Sequence, residues 1–521
     1  MDRGVLRMAS VRLESHPGTP AQTSADGGAG TRGAAGGATA GASAADDGLR
    51  RGLRQRHLSM ISIGGAVGTG LFVASGSSIA TAGPGGALLA YAIVGLMVYF
   101  VMTSLGEMAT FMPVAGSFEQ YASRFVDPAL GFALGWNYWY TWAVTLPAEL
   151  AAGAIVMKYW FPNTPSVVWS ALFLALLFLL NVVSVKGYGE GEYWFAGVKV
   201  LTILVFLTVG VLMIFGILGG HPVGFHTFNT GGSPFHGGWL GLLGTVMVAG
   251  FAFQGTELVG LAAGESENPR ETVPKAIRQV FWRILLFYVL AIFVMGMLIP
   301  YTDPNLLNAS VDHVAISPFT LVFQRAGLAF AAAVMNAVIL TAVLSAGNSA
   351  LYASSRMLWA LAREGKAPRW FARVDRRGVP MHALYANTVI GFVAFLSSLV
   401  GNGVVYTWML NAASLTGFLA WFGVAVSHYR FRKAYLVQGR DLDALAYRAK
   451  AYPFGPILAA VLCGLVIIGQ DISAFVGGQI DWAGVLATYI GIPLFLFLWL
   501  GYKLVKKTKV IPLQEVDFDV H

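Results

Sequence analysis

The stretch GFAFQGTELVGLAAGESENP, Gly250 to Pro269, decides the fold. Most of its residues are apolar enough for a bilayer, yet its middle holds Gln254, Gly255, Thr256 and Glu257 in a row. A glycine weakens a helix interior by about 1 kcal/mol relative to alanine, and a charge at the bilayer centre costs about 3 kcal/mol on insertion scales. We therefore predict that this stretch crosses a membrane as an interrupted helix whose polar centre has a function.

The composition of the whole chain indicates a membrane protein. Of 521 residues, 56% are hydrophobic and 12% are charged, whereas a soluble domain carries roughly 25% charged residues. The single cysteine, Cys463, excludes a disulfide within the chain. Residues 1–50 differ, because Gly, Ala, Ser and Thr dominate them and they lack the apolar core of a signal peptide. We expect this segment to be a disordered cytoplasmic tail.

Runs of about 20 mainly apolar residues predict twelve membrane-spanning helices. We expect a transmembrane domain at 51–507, followed by a cytoplasmic C-terminal tail at 508–521. The first five spans occupy about 58–218, the next five about 239–427 and two extra helices about 455–502. The individual limits are 58–82, 87–111, 130–157, 166–184, 194–218, 239–263, 281–300, 328–355, 384–401, 405–427, 455–475 and 482–502.

The positions of Lys and Arg predict the orientation, since cytoplasmic loops are enriched in these residues. All but three of the 34 fall before the first span, in every second loop or after the last span. The opposite side keeps Lys158 and Arg325, and Lys199 falls within span 5. We therefore predict a multi-pass protein with both termini in the cytoplasm. The formal charge of +8 then reflects topology and not nucleic acid binding.

Two spans carry interruptions at matching positions. Span 1 has five glycines between Gly64 and Gly76, and two of them flank Thr69. Span 6 has the break at 254–256. Irregular backbone at mid-membrane is tolerated only where it is buried in protein or lines a watery cavity, and broken helices at corresponding positions of two halves indicate a transporter binding site. Close helix packing is the alternative explanation of the glycines.

Four stretches resemble the amino acid permeases of the amino acid–polyamine–organocation superfamily. They are GGAVGTGLFVASGSSIATAGPGGALLAYAIVG, LGEMATFMPVAGSF, GFALGWNYWYTWAV and GFAFQGTELVGLAAGESENPRETVPKAIRQVFWRI. The resemblance implies an all-α polytopic membrane protein with twelve transmembrane helices in a LeuT-like inverted 5+5 repeat plus two C-terminal helices, with helices 1 and 6 unwound at mid-membrane. It also implies a secondary active transporter that works by proton symport and alternating access, is not an enzyme and needs no cofactor beyond the proton gradient.

Within this family, three stretches are most similar to the lysine-specific members of bacteria: FQGTELVGLAAGESENP, AAAVMNAVILTAVLSAGNSALYASSRMLWALAREGKAPR and WLGYKLVK. The resemblance implies import of L-lysine across the bacterial cytoplasmic (inner) membrane. Arginine, ornithine, histidine and a neutral or aromatic amino acid stay open as alternatives. The expected partners are lysine, protons and membrane lipids, without nucleic acid, and the oligomeric state is left open, a monomer included. No motif of an enzyme occurs in the sequence.

The resemblance places the substrate's backbone at the two breaks. Its carboxylate is expected at Gly68, Thr69 and Gly70, because unwinding frees N–H groups at the positive end of a half-helix. Phe251 and Phe253 flank the second break and are candidates for a gate that closes over the substrate. The carbonyl groups suggested for the α-ammonium are those of Ala66, Phe251, Ala252 and Gln254.

Four carboxylates are candidates, three of them within the predicted spans and Glu265 at the cytoplasmic edge of span 6, since an ionisable group in a membrane span usually has a function. We expect Glu257 to neutralise the substrate's ammonium or to carry the coupled proton; a structural hydrogen bond to span 1 is the alternative. Glu149 in span 3 is a candidate contact for the lysine ε-ammonium, although relatives that carry other amino acids also have an acid here. For Glu107 we predict a local network or a role in the inner gate, and for Glu265 a place at the inner mouth or an ion pair with a cytoplasmic Arg or Lys.

Lys199, taken as the one cation within the spans, matches the span-5 lysine of proton-coupled members of the superfamily. In those members it stands where sodium-coupled relatives bind an ion between spans 1 and 8, so the resemblance implies proton coupling at Lys199 and no metal or sodium site. Snorkelling to the interface is the alternative. Polar residues of span 8 are candidates to line this site or the substrate pocket: Asn336, Thr341, Ser345, Asn348 and Ser349.

Overall fold

The computed structural model describes residues 53–64, 67–183, 185–307, 317–328, 331–469 and 482–519. In these residues the regular structure is helical, apart from an isolated bridge between Leu53 and Ser266. Eight of the described helices are long and apolar enough to cross a membrane, and shorter apolar helices lie at Ser166–Val182 and Phe454–Gly469. The predicted all-α polytopic membrane protein is therefore confirmed. The N-terminal tail at 1–50 and Ala66 lie outside the described residues.

The helices fall into three groups along the chain. The first group is α1 Gln55–Gly64, α2 Thr69–Phe72, α3 Ser75–Phe111, α4 Phe118–Phe125, α5 Pro128–Met157, α6 Ser166–Val183 and α7 Val185–Ile214. The second group is α8 Gly238–Phe253, α9 Leu258–Ala262, α10 Pro269–Arg283, α11 Leu290–Leu298, α12 Pro304–Leu307, α13 Pro318–Arg325, α14 Ala331–Arg363, α15 Met381–Gly391, α16 Ser397–Val400 and α17 Asn402–Val437. The last helices are α18 Phe454–Gly469, Trp482–Tyr489 and Gly491–Lys506.

Both interruptions expected from the sequence occur. Span 1 is divided into α1 and α2, and α2 begins at Thr69 directly after the non-helical Gly68. Span 6 is divided into α8 and α9 by residues 254–257. Gly255 has a φ of 90° there, a backbone conformation that glycine adopts without a steric penalty.

Helix α3 joins the end of predicted span 1 to span 2 across a kink. Gly83 has a φ of 73° and a ψ of 169° inside this helix, and Pro84 follows, which lacks the N–H that a continuous helix needs. A Cβ at Gly83 would lie 2.6 Å from the carbonyl oxygen of Pro234, so the kink needs glycine. The predicted boundary between spans 1 and 2, at 82–87, falls on this kink.

The centre of the bundle is formed by α5 and by the interrupted helix α8–α9. In each, 94% of the most apolar window is buried, whereas the corresponding share is 33% for Tyr188–Ile214 and for Met381–Val400. Helix α7 therefore turns an apolar face outward, where Trp194 is 70% and Leu201 is 64% exposed. The candidates that line a common cavity lie where α5 passes the two interruptions.

Candidate functional site

A narrow cavity lies between the two interrupted helices. Because its volume of about 20 Å³ is close to the space that one water molecule needs, its walls must separate before a larger molecule enters. Its lining residues come from both breaks, from α5 and from α14: Gly68, Thr69, Gly70, Trp142, Thr145, Glu149, Phe251, Gln254 and Ala346.

The close approach of the two breaks depends on Gly70. A Cβ at this position would lie 2.5 Å from Cα and 2.8 Å from the backbone nitrogen of Ala252. Backbone atoms cannot yield as a flexible side chain can, so any larger residue would push the two interrupted helices apart.

Glu149 is the acidic residue among those that line the cavity. Its side chain is only 3% exposed. Its Oε1 accepts a hydrogen bond from Thr69 Oγ1 at 3.0 Å, which connects α5 to the first break. Its Oε2 has no hydrogen-bond partner among the described residues. Since an unsatisfied buried acceptor is costly, especially on an acid, this carboxyl group is suited to receive a donor from a bound molecule.

Glu257 is not among the cavity-lining residues, although it follows the second break directly. Its Oε2 accepts from Trp421 Nε1 at 3.1 Å, and its Oε1 accepts from Tyr138 Oη and from the backbone nitrogen of Gly255, both at 3.3 Å. These donors belong to α17, to α5 and to the break itself. The structural role considered for Glu257 from the sequence was instead a hydrogen bond to span 1. Glu257 thus fastens the break to its neighbours.

The other two candidates beside the second break, Phe253 and Gln254, both contact neighbouring parts of the protein. The Phe253 ring stacks on Tyr288 with centroids 4.1 Å apart, so the structure does not bring it to the cavity, whereas Phe251 lines it. Gln254 lines the cavity and donates from Nε2 to the carbonyl oxygen of Ala413 at 2.7 Å. Of the two candidate gate residues, only Phe251 is placed to act as a gate.

Arg283 is a buried cation that the sequence interpretation missed. It was assigned to a cytoplasmic loop, but it is only 1% exposed and donates to the hydroxyl of Thr256, beside Glu257. The expectation that Lys199 is the one cation within the spans is therefore wrong. The signal was available, because Arg283 follows two aromatic residues at the start of the apolar run that predicts span 7.

Lys199 joins α7 to α14 through a buried polar network. Its Nζ donates to Ser345 Oγ at 2.7 Å, and Ser345 Oγ donates to Glu192 Oε1 at 2.7 Å. The distance between Lys199 Nζ and Glu192 Oε1 is 3.9 Å. All three residues are fully buried, so Lys199 does not snorkel. Glu192 was missed because predicted span 5 began two residues after it, whereas α7 begins at Val185.

A polar stripe continues along α14 from this network. Ser345, Ser349, Tyr352 and Arg356 are spaced four, three and four residues apart, which places them on one face of the helix. Ser349 Oγ lies 3.3 Å from Tyr188 Oη, and the Tyr188 ring stacks on Tyr352 with centroids 3.9 Å apart. The five residues are buried.

The stripe ends at Glu265. Tyr352 Oη donates to Glu265 Oε1 at 2.9 Å, and Arg356 Nε donates to the same oxygen at 3.3 Å. This is an ion pair with an arginine from the loop region after span 8, as one of the two expectations for Glu265 described it. The pair joins the end of the interrupted span 6 to α14.

The remaining polar candidates of span 8 are held inside the protein. Asn348 Oδ1 accepts from Asn181 Nδ2 at 2.8 Å, which joins α14 to α6. Thr341 Oγ1 donates to the carbonyl oxygen of Val338 within its own helix at 2.7 Å. Asn336 is buried. None of the three is among the residues that line the cavity.

Glu107 lies in a separate cluster that joins α3, α17 and the segment before α18. Arg432 donates to both of its carboxylate oxygens, the backbone nitrogen of Ala449 donates at 2.7 Å, and His428 Nε2 lies 3.2 Å away. This is a local network, as expected for Glu107, and it contains no residue of the cavity.

Two interrupted helices that face each other across a buried polar cavity in an all-helical membrane protein define a membrane transporter. The profile of the family described as amino acid permease matches residues 57–513, which is most of the chain. The chain belongs to the amino acid permease family. The prediction that it is not an enzyme is confirmed by this membership.

Three bacterial relatives are similar over nearly their whole length. The chain is 59% identical over 472 residues to the lysine-specific permease LysP of Escherichia coli, which covers 90% of this chain and 96% of that protein. It is 51% identical to LysP of Lactococcus lactis, covering 91% and 93%. It is also 50% identical to the histidine permease HisP of Lactococcus lactis, covering 90% and 98%.

Proposed function

We propose that this protein imports L-lysine across the bacterial cytoplasmic membrane by proton symport and alternating access. Two relatives named lysine-specific permeases, at 59% and 51% identity, support the substrate. The histidine permease at 50% identity makes histidine the first alternative, before arginine, ornithine and neutral or aromatic amino acids. The observation that carries the proposal is the buried carboxyl group of Glu149 in the wall of the cavity, with one oxygen unsatisfied.

The proposed architecture is twelve helices in a LeuT-like arrangement, with both termini in the cytoplasm. The transmembrane domain then occupies 51–507, with inverted repeats at about 58–218 and 239–427 and extra helices at about 455–502. The interruptions of the first helix of each repeat, between α1 and α2 and between α8 and α9, support this arrangement. The one-sided distribution of Lys and Arg supports the orientation.

Lysine brings three charged groups, and the cavity offers a partner for each. The α-carboxylate is bound by backbone N–H groups at Gly68, Thr69 and Gly70, and the α-ammonium by carbonyl groups of the break that contains Gln254. The ε-ammonium pairs with Glu149. A neutral amino acid would leave Oε2 of this buried carboxyl group without a donor, which disfavours such substrates.

The substrate and proton sites adjoin on α14, because Ala346 lines the cavity with Glu149 while the neighbouring Ser345 accepts from Lys199. A substrate ammonium that binds at Glu149 neutralises the negative charge of this carboxylate and so weakens its attraction for the Lys199 cation. Lys199 then releases its proton to Ser345 Oγ, while the Ser345 hydroxyl proton passes to Glu192, at the 2.7 Å distances found for both steps. The stripe along α14 leads from there towards Glu265 at the cytoplasmic end.

Uptake of labelled lysine into proteoliposomes tests the proposal. We expect saturable uptake that an acidic exterior accelerates and that excess unlabelled lysine abolishes. Histidine, arginine and ornithine are added as competitors at equal concentration, and lysine should compete best. Stronger competition by histidine would make this chain a histidine permease, and a complete absence of uptake and exchange would refute transport.

Variants of Lys199 and Glu257 separate substrate binding from proton coupling. For Lys199→Ala we expect loss of acceleration by the pH gradient, while exchange of external for internal lysine continues. For Glu257→Gln, a raised KM would assign the carboxylate to the substrate, and a lost response to pH would assign it to the proton. Wild-type behaviour in both assays would restrict Glu257 to its structural hydrogen bonds. The exposed acid Glu271 gives a matched control, Glu271→Gln.

A further inference from the structure

A second and larger cavity shares no lining residue with the cavity at the interrupted helices, and three of its lining residues belong to the Lys and Arg that the sequence assigns to the cytoplasmic side. Its volume is about 480 Å³, within the range of about 300–1,000 Å³ that is typical of small-molecule sites. Its wall is formed by α3, by α10 and by the segment between α17 and α18, so any occupant would contact three separate parts of the chain.

The polar wall of this cavity is basic. Arg278 comes from α10, and Arg448 and Lys450 come from the segment before α18. No Asp or Glu is among the described residues that line it. In the described part of the chain, Arg278 and Lys450 have no acidic partner, and Arg448 pairs with Asp443 at 3.2 Å in an arrangement in which both side chains are at least half exposed.

Hydroxyl groups complete the set of donors. Tyr99 of α3 and Tyr447 of the segment before α18 line the same cavity. Thr103 of α3 also lines it, but its hydroxyl donates to the carbonyl oxygen of Phe100 at 3.0 Å. Guanidinium, ammonium and hydroxyl groups together are the donors that proteins use for phosphate oxygens. An exposed ion pair such as that of Arg448 contributes little to stability, so its guanidinium can turn to a stronger anion.

The surface beside the cavity is apolar and aromatic. The Tyr99 ring packs edge-on against Phe281 at 5.9 Å, and Phe281 is 47% exposed, Trp282 59% and Phe454 62%. Phe454 contacts Phe100, the neighbour of Tyr99, at 5.9 Å. Aromatic residues at this level are typical of the membrane interface. A ligand with a negative headgroup and hydrocarbon chains would contact both surfaces at once.

We infer that this cavity binds the phosphate headgroup of an anionic phospholipid, whose acyl chains lie against the exposed aromatic surface. Basic pockets between transmembrane helices on the cytoplasmic side suit such headgroups. The inference goes beyond the proposed transport function and depends on it only for the leaflet, which the proposed orientation makes the cytoplasmic one. The backbone nitrogen of Ala449, between Arg448 and Lys450, donates to Glu107 of α3. A bound lipid would therefore stabilise the contact between α3 and the segment that precedes α18.

Native mass spectrometry of the full-length protein in mild detergent provides the test. Phosphatidylglycerol is titrated against phosphatidylcholine, and glycerol 3-phosphate serves as the soluble phosphate without acyl chains. The double variant Arg278→Gln/Lys450→Gln should bind phosphatidylglycerol about 25-fold more weakly, at about fivefold for each removed charge. The matched control Arg369→Gln/Arg373→Gln removes two equally exposed charges that do not line the cavity and should stay within about twofold of the wild type.

Four results would overturn the inference. They are equal affinity of the wild type and the double variant, an equal loss in the control, equal affinity for phosphatidylcholine, and displacement of the lipid by glycerol 3-phosphate at matching concentration. If the double variant does not purify as a single species, Lys450→Gln alone is expected to lose about fivefold, and an unchanged affinity would refute the site. Transport is not measured in this assay, so its outcome is independent of the proposed function.

Discussion

Replacement of Glu149 by Gln tests how the lysine side chain is held. The change keeps the shape of the side chain and an oxygen that can accept the 3.0 Å hydrogen bond from Thr69, so the first break should stay fastened to α5. It removes the negative charge from the cavity wall. The variant therefore isolates the interaction with the ε-ammonium from the packing of the site.

The size of the effect follows from the burial of the pair. Glu149 is 3% exposed, so water screens the interaction little, and a hydrogen bond to a charged group contributes about 1.5–3 kcal/mol. Since 1.4 kcal/mol corresponds to a factor of ten, we expect the KM for lysine to rise by about 10- to 100-fold. Norleucine has the same carbon chain without the ε-ammonium and should lose nothing.

The assay is inhibition of labelled lysine uptake in proteoliposomes by unlabelled lysine and by norleucine. In the wild type, lysine should inhibit far better than norleucine, and in Glu149→Gln the two inhibition constants should converge. This comparison works as a double-mutant cycle, because protein and ligand each lose one partner of the pair. If both ligands weakened equally, or if lysine inhibited the variant as well as the wild type, the ε-ammonium would bind elsewhere. Glu271→Gln, at an exposed acid, is the control.

Three further changes have outcomes that follow from single observations. Gly70→Ala places a Cβ 2.5 Å from backbone, which should cost about 1–3 kcal/mol and lower lysine uptake by at least about fivefold, whereas Gly501→Ala, with open space around it, should transport normally. Glu192→Gln keeps a hydrogen-bond acceptor but removes the group that can take up the proton at the end of the Lys199 network. Uptake driven by a pH gradient should therefore fall while lysine exchange without a gradient persists; parallel loss of both would refute a role in coupling. Burial, and then the charge of Glu119, raises the pKa of Glu364 from 4.5 to about 8. Between pH 4.5 and about pH 8 the folded protein then binds more protons than the unfolded chain, so its melting temperature should fall from pH 5 to pH 8. This fall should be smaller in Glu364→Gln, and an equal fall of the melting temperature in the wild type and the variant would contradict the assignment.

The interruptions were predictable because their cause is local. Glycines around Thr69 and at Gly255 weaken a helix wherever the chain is placed, and the structure interrupts α1–α2 and α8–α9 at these points. The all-helical membrane class followed from composition for a similar reason. A protein that spans a bilayer needs apolar side chains wherever its surface faces lipid, whatever the order of the helices.

The residues that complete the sites were not predictable in the same way. Trp142 and Thr145 line the cavity because α5 passes both breaks, and an aromatic residue or a threonine within an apolar run gives no sign of this. Glu192 and Arg283 failed for another reason. Each stands at the edge of an apolar run, where boundaries are uncertain by about four residues. In the structure both lie in helices, Glu192 within α7 and Arg283 as the last residue of α10.

The two central carboxylates show how tertiary contacts decide between equivalent sequence signals. Glu257 had the stronger signal, since it follows the break directly, but its oxygens are already occupied by donors from Trp421, Tyr138 and the backbone of Gly255. Glu149 has one such donor and one unsatisfied oxygen. An ammonium gains more from an unsatisfied buried acceptor than from one that must first release its partners. We therefore propose that the second positive charge of lysine binds at Glu149 and that Glu257 holds the break in a fixed shape, against which the substrate's backbone can bind.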